Sequence, residues 1–350
     1  MSGELHEGEY VAKRYIIKYK AGKGKAGGVV YGVEDPKDPS GAKKVLKYPA
    51  RKEEHDALSR IYYGSLGQGA GEGRPPRRPL GMSGFFDCGT YNGERFIAME
   101  HLGRPILQVL DELKISFDAR WEALRTLGRA VLRSLEAVHR AGVIHCDVQP
   151  ANILMQRSGS YQAGVQWRPY LIDFGCAQCS PWTKRLRPDW GSLDYNSIHS
   201  AGEDTRGPYD DIESMGWVLC RGILGELPWF RHTKQARWKG GKLVEEQRSE
   251  VCNAVADDKA ALLDRGERAF GREWKHLVLM PPDLAELLHL ARAGSRTDAR
   301  VADYSRLGTV LGGPDLDPEE AEQRDVEEYS RHHARCEAAM VYMENLLGDV

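Results

Sequence analysis

The chain has 350 residues, 41% of them hydrophobic and 29% charged, which is too apolar for a disordered tail and sufficient for one large catalytic-size unit or two lobes. Forty-nine Lys and Arg against 51 Asp and Glu leave a formal net charge of −2, so no global field favours nucleic acid or an anionic membrane, and an anionic partner needs a local site. The apolar runs from Leu277 to Met280 and from Leu284 to Ala291 are broken by Pro281, Pro282, Glu286 and His289, well short of the roughly 20 residues a membrane-spanning helix needs.

Residues 1–13 carry Glu4, His6, Glu7 and Glu9 and read as an N-terminal tail without the apolar stretch of a secretory signal. Short β-branched and aromatic runs at Tyr15–Tyr19, Val29–Val33, Lys44–Tyr48 and Arg95–Met99 predict strands. Between the last two, Ala57, Leu58, Ile61 and Tyr62 recur at helical spacing and predict a helix over 53–63. Residues 64–80, rich in Gly, Pro and Arg, predict a mobile loop. Glu100 to Gly103 is the expected hinge. Beyond Pro105 the pattern turns helical, with Trp121, Leu124, Leu127, Val131, Leu132, Leu135 and Val138 stepping by three and four. The fold class expected is α+β in two lobes: a small β-rich N-lobe over about 14–100 and a larger, mainly helical C-lobe over about 103–312. Residues 313–350 read as a linker and an amphipathic helix. The seven scattered cysteines fit reduced thiols in an intracellular protein, cytoplasmic or nuclear, and the single C-x-x-C pair, Cys176 and Cys179, reads as incidental spacing.

Three motifs carry chemistry. Gly22-Lys23-Gly24-Lys25-Ala26-Gly27-Gly28-Val29 places Gly22, Gly24 and Gly27 where backbone amides can approach phosphate oxygens. Alone it is also what a flexible hairpin would look like. Its position raises it, because Lys47 in a following strand and Glu54 on the next helix come in the order of a phosphate-clamping ion pair. Glu54 is preferred to Glu53, since the apolar residues three, four and seven positions on turn its side chain inward. His145-Cys146-Asp147-Val148-Gln149-Pro150-Ala151-Asn152 then fits H-x-D-x-x-x-x-N, and Leu171-Ile172-Asp173-Phe174-Gly175 ends in D-F-G. A carboxylate to accept a hydroxyl proton, an amide for a metal and a second carboxylate for Mg²⁺ are the parts phosphoryl transfer requires.

On these motifs the chain resembles the eukaryotic protein kinases over about residues 14–312. Gly191-Ser192-Leu193-Asp194-Tyr195-Asn196-Ser197-Ile198, Asp210-Asp211-Ile212-Glu213-Ser214, Gly225-Glu226-Leu227-Pro228-Trp229 and Asp303-Tyr304-Ser305-Arg306-Leu307 are similar to motifs of the casein kinase 1 and vaccinia-related kinase group. The resemblance implies ATP and Mg²⁺ in a cleft between the lobes, with adenine between Val29 and Val45 above and Leu154 below. It further implies Met99 as gatekeeper and the Glu100, His101 and Leu102 backbone as hinge. Lys47 would hold phosphates and pair with Glu54, Asn152 and Asp173 would bind the metal, and Asp147 would orient the substrate hydroxyl. Leu58, His145 and Phe174 would stack as a spine, and Asp211 would anchor the catalytic loop.

Two departures stand out. Gln149 occupies the position of a catalytic-loop Lys, and loss of one preorganised donor costs about 10²–10³ in rate. Cys146 replaces the Arg that reads an activation-loop phosphate in many kinases, which argues against that mode of activation. Basic clusters at Lys184, Arg185 and Arg187 and at Arg231, Lys234, Arg237, Lys239 and Lys242 fit recognition of acidic or phosphorylated protein substrates, although charge runs are more often plain solvated surface. The expected activity is a monomeric protein Ser/Thr kinase in which Gln149 takes part in catalysis. A pseudokinase acting as an interaction module and a small-molecule phosphotransferase are the alternatives.

Overall fold

The computed structural model describes residues 4–23, 28–64, 79, 81–112, 117–158, 166–202, 204–265, 280–297 and 301–313. The N-terminal lobe is an antiparallel six-stranded sheet of β1 (Tyr10–Val11), β2 (Tyr15–Lys23), β3 (Val29–Glu34), β4 (Lys44–Tyr48), β5 (Phe85–Tyr91) and β6 (Glu94–Glu100), in the order β1-β2-β3-β4-β6-β5. Helix α1 (Lys52–Tyr63) follows β4. Tyr15 and Ile17, Tyr31 and Val33, Leu46 and Tyr48, and Phe96 recur two apart along their strands and bury one face of the sheet, as the period of two requires.

Two of the strands lie outside the four expected. The segment read as a tail belongs to the lobe, because Ala12 and Lys13 turn at positive φ (52° and 54°) and lay Tyr10 and Val11 against Ile16 and Tyr15. Leu5 and Val11 are buried there. The Asn92-Gly93 turn, also at positive φ, joins β5 to β6. Most of the expected loop over 64–80 and nearly all of the expected C-terminal helix lie outside the described residues.

The second lobe contains β7 (Arg104–Pro105), α2 (Ile106–Glu112), α3 (Phe117–Arg140), β8 (Val143–Ile144), β9 (Ile153–Ser158), β10 (Gln166–Leu171), β11 (Gln178–Cys179), α4 (Pro208–Leu224), α5 (Phe230–Gln235), the hairpin β12 (Trp238–Lys239) and β13 (Lys242–Leu243), α6 (Glu245–Arg265), α7 (Pro282–Ser295) and α8 (Tyr304–Val310). The predicted stripe of α3 is its buried face: Leu124, Leu127, Val131, Leu132, Leu135 and Val138 all pack in the core. Each such side chain contributes about 1.5–3 kcal/mol, and Leu135→Ala at full burial would cost about 2–5 kcal/mol. Helix α4 packs against both α3 and α7 and is buried nearly all round, its buried residues including Asp210, Asp211 and Glu213. The core crosses between the lobes, because Leu58 of α1 shares it with Val148 and Phe174.

Candidate active site

The N-lobe sheet delivers Lys47 from β4, beside β3 and β6. Its Nζ lies 2.9 Å from Glu54 Oε1 and 2.7 Å from Asp173 Oδ1, so one ammonium joins α1, the sheet and the other lobe. Glu54 is fully buried on the inward face of α1, whereas Glu53 is exposed. Burial opposes the charge on Lys47, yet Glu54 and Asp173 hold its pKa above the ordinary value. The Glu54 carboxyl is raised by burial despite Lys47. Burial would also raise Asp173, but Lys47 and the Gly175 amide bring it below the ordinary carboxylate value. Gly28 makes room for this arrangement: a Cβ there would lie 2.6 Å from Pro49 O and 3.3 Å from Lys47 Cε.

The second set of groups comes from the loop between β8 and β9. Asp211, near the start of α4, accepts the His145 amide at 2.7 Å and the Cys146 amide at 2.9 Å. His139 Nε2 lies 2.9 Å from the same carboxylate and Nδ1 contacts the Tyr304 hydroxyl. Burial would raise Asp211, but the His139 hydrogen bond and the loop amides hold it below the usual range. An ionised carboxylate only accepts, so Nε2 donates and Nδ1 accepts from Tyr304. The anchored loop presents Asp147, whose amide donates to His145 Nδ1 at 3.2 Å, while His145 Nε2 donates to Ile172 O at 3.0 Å. The rings of His145 and Phe174 are 4.7 Å apart, within the shared core that holds Leu58.

Gln149 and Asn152 converge on the Asp147 carboxylate. The Gln149 amide donates to both oxygens at 3.0 and 2.9 Å, and Asn152 Nδ2 donates to Asp147 O at 2.9 Å and to Oδ2 at 3.1 Å. Gln149, read from the sequence as standing at the position of a catalytic-loop Lys, is buried and is hydrogen-bonded to Asp147. Sequence pattern alone carried no sign of this clamp. Among the described residues Asp173 Oδ2 and Asn152 Oδ1 accept no hydrogen bond. Two hard oxygens without a protein donor suit Mg²⁺, which binds through few protein ligands and completes its shell with phosphate and water. Among the described residues no cluster of three His, Cys, Asp or Glu forms a self-sufficient metal cage.

Val29 is buried, and Val45, Leu154, Met99 and Glu100 are half-buried. Met99 and Glu100 end β6 opposite Val45 and Lys44. The His101 amide turns outward to Lys43 O at 3.0 Å, while the amide of buried Leu102 donates to no described residue. Gly22 pairs with Val30 at the end of β2; Gly24 and Gly27 lie outside the described residues. The cysteines at 176 and 179 are free thiols, and burial pushes Cys176 up to about 12.

The basic clusters divide. Lys184 sits 5.5 Å over the Trp190 ring, and Arg187 lies 3.5 Å from Asp189. Arg231 pairs with Asp258 at 3.0 Å and Lys234 with Glu226. Arg237, Lys239 and Lys242, on and beside the β12–β13 hairpin, are exposed with no carboxylate partner among the described residues.

A lysine pinned between a helix carboxylate and a D-F-G aspartate, above an anchored loop that offers a second aspartate, defines the two-lobed fold of phosphoryl-transfer proteins. Residues 82–266, just over half of the chain, match the family model of the protein kinase domain. The chain belongs to the protein kinase family. It is also 33% identical over 154 residues, 41% of its length, to a probable serine/threonine-protein kinase of Dictyostelium discoideum, and spans 30% of that relative's length.

Proposed function

We propose that this chain is an ATP- and Mg²⁺-dependent protein serine/threonine kinase of the casein kinase 1 and vaccinia-related kinase group, monomeric and intracellular. The observation that carries the reading is the continuous set of contacts from Glu54 through Lys47 to Asp173, assembled beside an Asp147 carboxylate held by two amides. The Leu102 amide is the donor for adenine, between Val29, Val45 and Leu154. Lys47 holds the α- and β-phosphates while Glu54 keeps it in place. Asp173 and Asn152 hold the metal, which when bound neutralises charge on the phosphates. Asp147 accepts a hydrogen bond from the substrate hydroxyl and takes its proton as that oxygen bonds to the γ-phosphorus of ATP and the bond to the departing ADP breaks.

Gln149 supports a second reading. Its amide satisfies Asp147 without bringing a cation to the transferring group, which suits slow catalysis or a pseudokinase. Acidic or phosphorylated substrates are favoured by Arg237, Lys239 and Lys242, the members of the second basic cluster not neutralised by carboxylates. Radiolabelled ATP with generic acidic and basic proteins, beside an Asp173→Asn control, tests both points. Transfer to the acidic protein, lost in the control and diminished by Arg237→Glu, is expected. Nucleotide binding without transfer would establish the pseudokinase instead.

A further inference from the structure

The segment from Leu193 to Ile198 belongs to no strand or long helix, so its backbone groups need partners from elsewhere. Some are met within the turn, where the Tyr195 and Asn196 amides donate to Ser192 O at 2.9 Å; others are met by side chains of α4 and α6 and by Trp229, just ahead of α5. Lys259 Nζ donates to Leu193 O at 3.2 Å and Asn196 O at 2.6 Å. The indole of Trp229 donates to Asp194 O at 2.7 Å. Glu213 Oε1 accepts the Ile198 amide at 2.7 Å and the Trp217 indole N–H at 3.2 Å.

Lys259 is 1% exposed and Glu213 fully buried. The ammonium lies 5.2 and 5.7 Å from the ring centroids of Trp229 and Trp217, which meet edge to face. Burial pulls the Lys259 ammonium down and pushes the Glu213 carboxyl up, and each opposes that effect on the other. A buried lysine is costly unless paired. Here it is held by two carbonyls and faces two aromatic rings, while Glu213 and Asp194 both oppose the effect of burial on it.

That stretch begins against the catalytic loop. Gly191 has φ +81°, and a Cβ there would stand 2.2 Å from Cys146 O and 3.4 Å from Asp147 Oδ1. Residues 191–198 therefore start beside the carboxylate that a substrate hydroxyl must reach to within hydrogen-bond distance.

We infer that Lys259 is a positioning residue: from 1% exposure it fixes segment 193–198 as the shelf on which a protein substrate's Ser or Thr is presented to Asp147. This rests on the kinase reading above. It assigns the nucleotide and the protein substrate to different buried lysines, Lys47 and Lys259.

The test compares wild type with Lys259→Met and Lys259→Arg by two measurements. In steady-state transfer to an Asp-rich serine peptide, Lys259→Met is expected to raise the peptide KM at least tenfold while the ATP KM stays within twofold, and Lys259→Arg, which keeps a donor for the carbonyls, recovers at least part of that rise. In amide hydrogen exchange, wild-type Ile198 should be protected well above an exposed turn, and Lys259→Met should speed exchange over 193–198 with 145–152 unchanged. An unchanged peptide KM in a folded Met variant overturns the proposal, as does a rise in ATP KM equal to that for peptide. Should the Met variant fail to fold, Lys259→Gln replaces it in both measurements, with the same expected and overturning results. A wild type that transfers no phosphate overturns the kinase reading, and the exchange arm, which needs no turnover, still decides whether Lys259 holds the shelf.

Discussion

Lys47 and Lys259 are chemically identical and nearly equally hidden, 4% and 1% exposed, yet their surroundings assign them opposite tasks. Lys47 faces two carboxylates from different lobes, one of them Asp173 with 27% of its side chain exposed, and on the proposed function an incoming phosphate competes with Asp173 for it. Lys259 faces backbone carbonyls and indoles, which have nowhere to go and no ligand to make way for. On the proposed function, the partner set, more than burial, separates a lysine that handles a ligand from one that fixes a chain segment.

The largest effect that could break this contrast is loss of transfer. Lys47→Met and Asp173→Asn are each expected to leave less than a few per cent of wild-type activity while circular dichroism still reports a folded protein, since Glu54, already raised by burial, can take up a proton when Lys47 is gone. Retention of activity in either variant would remove Lys47 from the ligand side of the comparison. Gln149→Lys sharpens the same side by adding a cation beside Asp147. It should raise kcat by up to about 10²–10³, less what the amide already supplies, with little change in nucleotide affinity. A slower variant would mean that the clamp on both Asp147 oxygens outweighs the added charge.

Stability separates the two lysines by a smaller margin. Lys259→Met leaves the Leu193 and Asn196 carbonyls without their buried donor and should cost about 1–3 kcal/mol for each in denaturant unfolding, and Lys47→Met should cost less because Glu54 can take up a proton and Asp173 is open to the cleft. Equal losses would erase the distinction. The smallest expected effect is none: phosphatase treatment should leave the initial rate unchanged, because Cys146 is buried with its amide on Asp211 and offers no guanidinium to a phosphate between residues 176 and 193. A several-fold loss would show that some other cation serves there.

Much of the Lys47 side was legible in the sequence. The Glu54 choice followed from the apolar residues at 57, 58 and 61, and the loop motifs from their fixed spacing. The clamp of Gln149 on Asp147 was not, since a hydrogen bond between residues two apart in a loop leaves no periodic trace. Strand β5 escaped because Asp87, Cys88 and Gly89 dilute its β-propensity, although Asn92-Gly93 is a strong hairpin signal. Lys259 did leave a mark. Cys252, Val255, Lys259 and Leu262 step by three and four along α6 and are all buried, so a charged residue stands in line with an apolar stripe, the kind of local conflict that points to a special role.

The hydrogen bonds around Asp211 also decide how short a working version of this protein can be. The family match ends at residue 266, but Tyr304 reaches His139 and the Leu311 carbonyl accepts from buried Arg129 at 2.8 Å. An expression boundary drawn at the end of the match would strip both supports from α3 and leave His139 without its acceptor-side partner, loosening the orientation of the loop that carries Asp147. Truncations should therefore lose turnover in the interval between residues 311 and 304, ahead of any loss of the cleft that binds nucleotide.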